Sequence, residues 1–168
     1  MGERLTRWLV DTINSVERVL IVCVMAVMAL ILIVEVIARE IFGQGMFGST
    51  QLAVFLMIWA SYLGFGYATV SGTHLRPRLT DKWLPDAWAP ALKRVGNVVS
   101  FLILCVMGWA AVIFVQDSYK FGETAIALGW VTWPFQIIIP LEFFLTAARH
   151  LSYAVFPKLA PAESELAQ

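Results

Sequence analysis

The sequence predicts an all-α integral membrane protein, a bundle of four transmembrane helices with both termini in the cytoplasm. Of its 168 residues, 60% are hydrophobic and 14% are charged, whereas soluble proteins carry about 25% charged residues. Long uncharged runs separate the charges, which is typical of lipid-facing helices. Lysine and arginine are concentrated in alternate connections, and this bias predicts the orientation.

Four apolar segments define the predicted helices, at about 18–41, 50–72, 90–116 and 131–152, within a single membrane domain of residues 1–157. The first is interpreted as a retained signal-anchor helix, because no small-residue cleavage motif follows it. Pro134 is predicted in the first turn of the fourth helix, where proline is tolerated, and Pro140 is predicted to kink that helix. Residues 158–168 are predicted to form a disordered tail.

The flanking charges predict which ends of the helices face the cytoplasm. The N-terminal segment, the connection between helices two and three, and the C-terminal segment together hold ten lysines and arginines. The two other connections hold only Arg39 and Lys120. Cytoplasmic loops carry the excess of positive charge. The protein is therefore predicted to be a multi-pass protein of a bacterial inner membrane, with its two sparsely charged loops in the periplasm.

Three polar side chains fall within the predicted helices, namely Glu35, Gln51 and Glu142. Glu35 precedes Arg39 by four residues, so the two share a helix face and can form an ion pair. Glu142 is the deepest ionisable residue, and an acid within a membrane is costly unless it has a partner. It either satisfies a backbone group freed by Pro140 or bonds a neighbouring helix. A proton-coupled role, as in small multidrug exporters, is an alternative, although their acid lies in the first helix.

Small residues recur every four positions along the second predicted helix, at Ala60, Gly64, Ala68 and Gly72. Such a ridge lets another helix approach closely in a membrane, where no hydrophobic force drives helices together. The ridge is predicted to pack either on this chain or on another subunit.

Motifs for catalysis and cofactors are missing from the sequence. No phosphate loop, nucleophile motif or cluster of metal ligands is present, so no catalytic, cofactor or metal site and no nucleic-acid partner is predicted. Cys23 and Cys105 are single and are interpreted as small apolar helix residues. The inverted repeats of secondary transporters are also missing. The chain is therefore predicted to be a non-enzymatic accessory subunit of a larger membrane complex.

The two histidines suggest an alternative function. His74 and His150 lie at the predicted cytoplasmic ends of helices two and four, at depths that would suit the two axial ligands of a haem. The alternative is therefore a haem-bearing membrane anchor subunit of a redox complex. Interfacial histidines next to arginines also serve as contacts to lipid headgroups or loops.

Residues 39–84 and a later proline pair carry a resemblance to a known family. An arginine and an aromatic, Arg39 and Phe42, end the first helix, and a short turn leads into the second helix, Ser49 to Gly64. A glycine–histidine–arginine motif follows that helix, at Gly72, His74 and Arg76. The fourth helix opens with Pro134 and has a second proline at Pro140. In this order the elements resemble the small membrane subunit, of the DctQ type, of tripartite ATP-independent periplasmic (TRAP) transporters. Gln51 departs from the acid usual in that family, and Pro77-Arg78 departs from its hydrophobic–acid pair.

The resemblance implies a function. Such a subunit braces a large membrane permease during sodium symport of an organic acid, which a periplasmic substrate-binding protein delivers. The residues predicted at the interface with the large subunit or with membrane lipids are Arg39, Ala60, Gly64, Ala68, Gly72, His74 and Arg76. The periplasmic connections are the parts that a binding protein can reach, and Lys120 and Glu123 are predicted there as charges at the rim of its docking surface.

Overall fold

Helices make up most of the computed structural model, which describes residues 2–70 and 89–157. In chain order they are α1 (Gly2–Phe42), α2 (Ser49–Val70), α3 (Ala89–Lys120), the short α4 (Trp133–Gln136) and α5 (Ile138–Val155). The only extended pairing within these two ranges is an isolated antiparallel bridge between Thr124 and Val131. The all-helical prediction is confirmed for this part of the chain, whereas the predicted tail at 158–168 lies outside it.

Three of the described helices are long and apolar enough to cross a membrane. The candidate spans are Thr6–Phe42, Ser49–Thr69 and Ala91–Lys120. The predicted fourth span corresponds to α4 and α5, and α5 has 18 residues. It carries both Glu142 and Arg149, and charged residues lower the mean hydropathy of a helix. A fourth crossing is therefore a proposal, which is taken up below.

The first helix extends well beyond its predicted start near residue 18, because α1 begins at Gly2. No proline or glycine interrupts residues 3–42, so nothing in the sequence breaks the helix. The hydroxyls of Thr12 and Ser15 donate to the carbonyls of Trp8 and Asp11, one turn earlier. The 41 residues of α1 span about 60 Å, roughly twice the thickness of the hydrocarbon core of a bilayer.

The predicted fourth helix is interrupted at Ile137, between α4 and α5. Pro140 has no amide hydrogen, so the carbonyl of Gln136 lacks its usual helical donor. Next to it, the carbonyl of Phe135 accepts a hydrogen bond of 2.9 Å from the indole Nε1 of Trp59 on α2. A side chain of the neighbouring helix therefore satisfies a backbone group at the interruption.

The main helix contacts follow an order that differs from the order in the sequence. Helix α1 packs on α2, α2 packs on α5, and α5 packs on α3. Aromatic rings fill the contact of α2 with α4 and α5, since Phe55 stacks on Phe135 with ring centroids 4.6 Å apart, and Tyr62 meets the edge of Phe143. Helices α2 and α5 thus lie at the centre, and α1 and α3 keep large apolar faces exposed in the isolated chain.

The connection between α1 and α2 lies at the same end of the molecule as the connection between α3 and α4. The side-chain oxygen of Gln51 accepts a hydrogen bond of 2.8 Å from the backbone N–H of Ala127. Gly48, with a φ of +81°, lies directly against the side chain of Leu128. Two connections that meet in this way are expected when α1, α2 and α3 cross a membrane in alternating directions.

Candidate functional site

Buried polar side chains form a cluster where α1, α2 and α5 meet. Its charged members are Glu17 on α1 and Glu142 and Arg149 on α5, which are 3%, 1% and 3% exposed. Thr146 lies between the last two on the same face of α5 and is 0% exposed. Charged side chains are almost never fully buried unless they are paired. We call these four residues the buried charge cluster.

Arg149 connects three helices through its guanidinium group. Its Nη1 donates a hydrogen bond of 2.9 Å to the backbone carbonyl of Gly66 on α2. Its Nη2 donates to the carboxylate of Glu17 on α1 and forms an ion pair with it. Breaking a buried ion pair leaves an uncompensated charge, which is strongly destabilising. Arg149 therefore fixes α5 against both α1 and α2.

The close approach of α5 to α2 requires glycine at position 66. A Cβ atom there would overlap the Oε2 atom of Glu142 and lie 3.1 Å from Nη1 of Arg149. At Gly64, one half-turn earlier, the same atom would meet nothing within 4 Å among the described residues. The glycine that the fold of the isolated chain needs is therefore Gly66, and the predicted ridge position Gly64 faces open space there.

Among the described residues, no hydrogen bond joins Glu142 to the backbone at the interruption before α5, where Trp59 bonds the carbonyl of Phe135, next to the Gln136 carbonyl that Pro140 frees. Its carboxyl group lies against α2 at Gly66 instead. Among the described residues, its Oε2 atom has no hydrogen-bond partner, and the same is true of the hydroxyl of Thr146 and of Oε2 of Glu17. The cluster thus joins two acids to one guanidinium and contains unpaired buried oxygens.

Glu35 holds the connection between α1 and α2. Its carboxylate accepts hydrogen bonds of 2.6 Å from the backbone N–H of Met46 and of 2.6 Å from the hydroxyl of Ser49. Ser49 is the first residue of α2 and is buried. These hydrogen bonds fix the position at which α2 begins, and Arg39, the predicted ion-pair partner of Glu35, is exposed.

The two predicted docking charges have different surroundings. Glu123 accepts a hydrogen bond of 2.8 Å from the hydroxyl of Ser118, which is 1% exposed, and so helps to hold the connection that follows α3. The side chain of Lys120 is 66% exposed and forms an ion pair of 3.8 Å with Asp117 on the same helix. Surface ion pairs of this kind stabilise a protein very little. Glu123 is exposed as well, but its carboxylate is engaged by Ser118, whereas the Lys120 ammonium is held only by this weak surface pair.

His150 connects α5 with α3, because its Nδ1 atom lies 3.0 Å from the side-chain oxygen of Asn97. His74, like Gly72 and Arg76, lies outside the described residues. No group of three or more histidine, cysteine or acidic side chains suited to a metal ion occurs in the described ranges.

The prediction from sequence missed Glu17 and Arg149. Arg149 was counted among the cytoplasmic flanking charges, and Glu17 preceded the predicted first helix. A signal was present, because Glu142, Thr146 and Arg149 are spaced by four and three residues and share one helix face. Without Arg149, the segments predicted to be cytoplasmic still hold nine lysines and arginines, against two in the other connections. The predicted orientation therefore keeps its support.

We expect Gly66→Ala and Gly64→Ala to have opposite effects on the isolated chain. The methyl group at position 66 would collide with buried polar atoms of Glu142 and Arg149, and such overpacking costs about 1–3 kcal/mol. At position 64 the methyl group is accommodated, and alanine favours a helix over glycine by about 1 kcal/mol. Thermal unfolding of the purified full-length variants measures both effects. Equal melting temperatures for the two variants would contradict the packing of α5 on Gly66.

Comparison with known proteins agrees with the sequence resemblance. Residues 28–157 match the family model described as "Tripartite ATP-independent periplasmic transporters, DctQ component". The chain is similar to the ectoine TRAP transporter small permease protein TeaB of Halomonas elongata, with 27% identity over 147 residues. That alignment covers 87% of this chain and 76% of the relative. The family match includes Glu142 and Arg149 but begins after Glu17. The chain belongs to the DctQ family of small permease components of TRAP transporters.

Proposed function

We propose that this chain is the non-catalytic small subunit of a sodium-driven uptake system for an organic acid. In this proposal it braces a large permease subunit, and a periplasmic binding protein delivers the substrate. The observation that carries the proposal is the family match over residues 28–157. It does not favour the alternative of a haem-bearing anchor. Because the relative is named for ectoine, ectoine is a second solute to test in uptake assays.

We propose that the small-residue ridge of α2 contacts the large subunit. In the isolated chain, Gly64 has free space next to it, and Ala60 and Ala68 are only partly buried. Helices associate in membranes through close packing at such positions. The exposed Arg39 and the segment with Gly72, His74 and Arg76 are proposed to extend the contact to the large subunit or to lipid headgroups.

We expect Gly64→Leu to weaken assembly with the large subunit without destabilising the isolated chain. A wedged helix contact costs about 1–3 kcal/mol, and 1.4 kcal/mol corresponds to a tenfold loss of affinity. The amount of large subunit that co-purifies should fall about tenfold, and substrate uptake in proteoliposomes should fall with it. Gly96→Leu is the matched control, because Gly96 on α3 also faces free space. Unchanged assembly of the Gly64 variant would place the ridge against lipid.

We also propose that α4 and α5 together make a fourth crossing and that both termini are cytoplasmic. Two observations support this topology. The basic residues are concentrated on one side of the predicted spans, and the two other connections meet at Gln51 and Ala127. Membrane insertion favours lysine and arginine in cytoplasmic loops, so the end at which these two connections meet is assigned to the periplasm.

Cysteine labelling should report this topology. In a variant without Cys23 and Cys105, single cysteines at Gln44 and Tyr119 should react with an impermeant reagent added outside. Cysteines at Lys82 and Ser164 should react only after permeabilisation. Labelling of a cysteine at Lys82 in intact cells would mean that the orientation is the reverse of the one proposed.

Docking of the binding protein is proposed to involve Lys120. A charge at the rim of an interface mainly changes the rate of encounter and its dependence on salt. Lys120→Glu should therefore reduce uptake most at low binding-protein concentration and low ionic strength, while the membrane complex assembles normally. Lys120→Arg keeps the charge and is the control. Identical dependence of uptake on binding-protein concentration for all three proteins would exclude Lys120 from the docking surface.

A further inference from the structure

The buried charge cluster contains one more acid than base. Glu17, Glu142 and Arg149 are each more than nine-tenths buried. Arginine stays protonated in proteins, so its guanidinium compensates one carboxylate. A second carboxylate would be an uncompensated charge in a site closed to solvent, which is strongly unfavourable.

Within the described ranges no other buried cation compensates it, since Arg149 is the only buried basic residue there. Tyr153 on α5 interacts electrostatically with Arg149, Asp11 and Glu17. Arg18 on α1 and His150 on α5 are ionisable residues that adjoin the cluster in the sequence, and Tyr67 on α2 follows Gly66. Asp11 and Arg18 are exposed, and Arg18 donates a hydrogen bond of 3.0 Å to the hydroxyl of Tyr67. His150 is engaged with Asn97 on α3.

The contacts indicate which acid is charged. Glu17 is bonded directly to the guanidinium of Arg149, as expected for an ionised carboxylate. Oε2 of Glu142 is buried without a hydrogen-bond partner among the described residues, as is the hydroxyl of Thr146 on the same helix face. A proton on Glu142 removes its charge and turns its carboxyl group into a hydrogen-bond donor as well as an acceptor.

We infer that Glu17 and Glu142 together form a binding site for one proton, held on Glu142 while Glu17 is paired with Arg149. The cluster is then neutral within the membrane protein. Because Arg149 and Glu142 lie against the same glycine of α2, either acid is placed to serve as the counterion. The loss of one acid is therefore compensated by ionisation of the other, and only the loss of both leaves Arg149 without a partner.

A double-mutant cycle tests this inference, with Glu17→Gln, Glu142→Gln and the double variant in the purified full-length chain. Each single variant should lower the melting temperature by less than about 4 °C, the effect of roughly 1 kcal/mol in a protein of this size. The double variant should lower it by roughly 6 °C or more, because it leaves a buried charge unpaired. Glu40→Gln, at an exposed position near the end of α1, is the matched control.

Infrared spectroscopy in a detergent without ester groups tests for the proton directly and does not depend on the stability of the double variant. The wild-type chain and Glu40→Gln should show the C=O stretching band of a protonated carboxylic acid at neutral pH. Each single variant of the cluster should lose that band, because its remaining acid is ionised by Arg149.

Three results would overturn the inference. The first is a double variant whose loss of stability equals the sum of the two single losses, since this would mean that both acids act independently. The second is a protonated band that persists in both single variants. The third is a wild-type chain that lacks the band. Greater stability of that chain when sodium chloride replaces potassium chloride would then assign the site to a metal cation.

Discussion

The hydrogen bonds and ion pair of one buried guanidinium determine how the helices of this protein are arranged. Arg149 lies on α5, forms an ion pair with the carboxylate of Glu17 on α1, and donates a hydrogen bond to the carbonyl of Gly66 on α2. Apolar side chains alone give membrane helices no strong preference for one partner, since lipid is equally apolar. A buried charge does, because it is tolerated only where neighbouring helices supply a counterion and hydrogen-bond partners. Glycine at position 66 provides the space that this arrangement needs.

The opposite end of the molecule is held by hydrogen bonds between side chains and loops. Glu35 fixes the start of α2 through Met46 and Ser49, and Gln51 binds the connection that precedes α4. Between the two ends, Trp59 satisfies a carbonyl at the interruption before α5, and aromatic rings fill the contact. Through these contacts, side chains of one helix bond to another helix or to a distant connection, which couples the helices to one another.

This internal arrangement suits a subunit that supports a larger one. The buried charges lie between α1, α2 and α5, whereas the outer faces of α1 and α3 remain apolar and exposed in the isolated chain. Those faces are available to lipid and to a partner subunit without disturbing the charges inside. The close-packing glycine at position 66 serves the chain itself, whereas the glycine at position 64 has free space next to it among the described residues.

The sequence by itself determined the class of the protein, since composition and uncharged runs predicted membrane helices, and the motifs near Arg39 and His74 predicted the family. Helical periodicity also contained the spacing of Glu142 and Arg149. Only the tertiary structure decided which residues meet, because the partner of Arg149 is 132 positions away in the chain and lies in a segment that looks like a charged flank. Counting the flanking charges treats every arginine near a helix end as solvated. Whether such an arginine is buried depends on which helices pack together, and the count does not contain that information. For the same reason, sequence spacing identified a ridge through Gly64, but the fold placed the internal contact at Gly66.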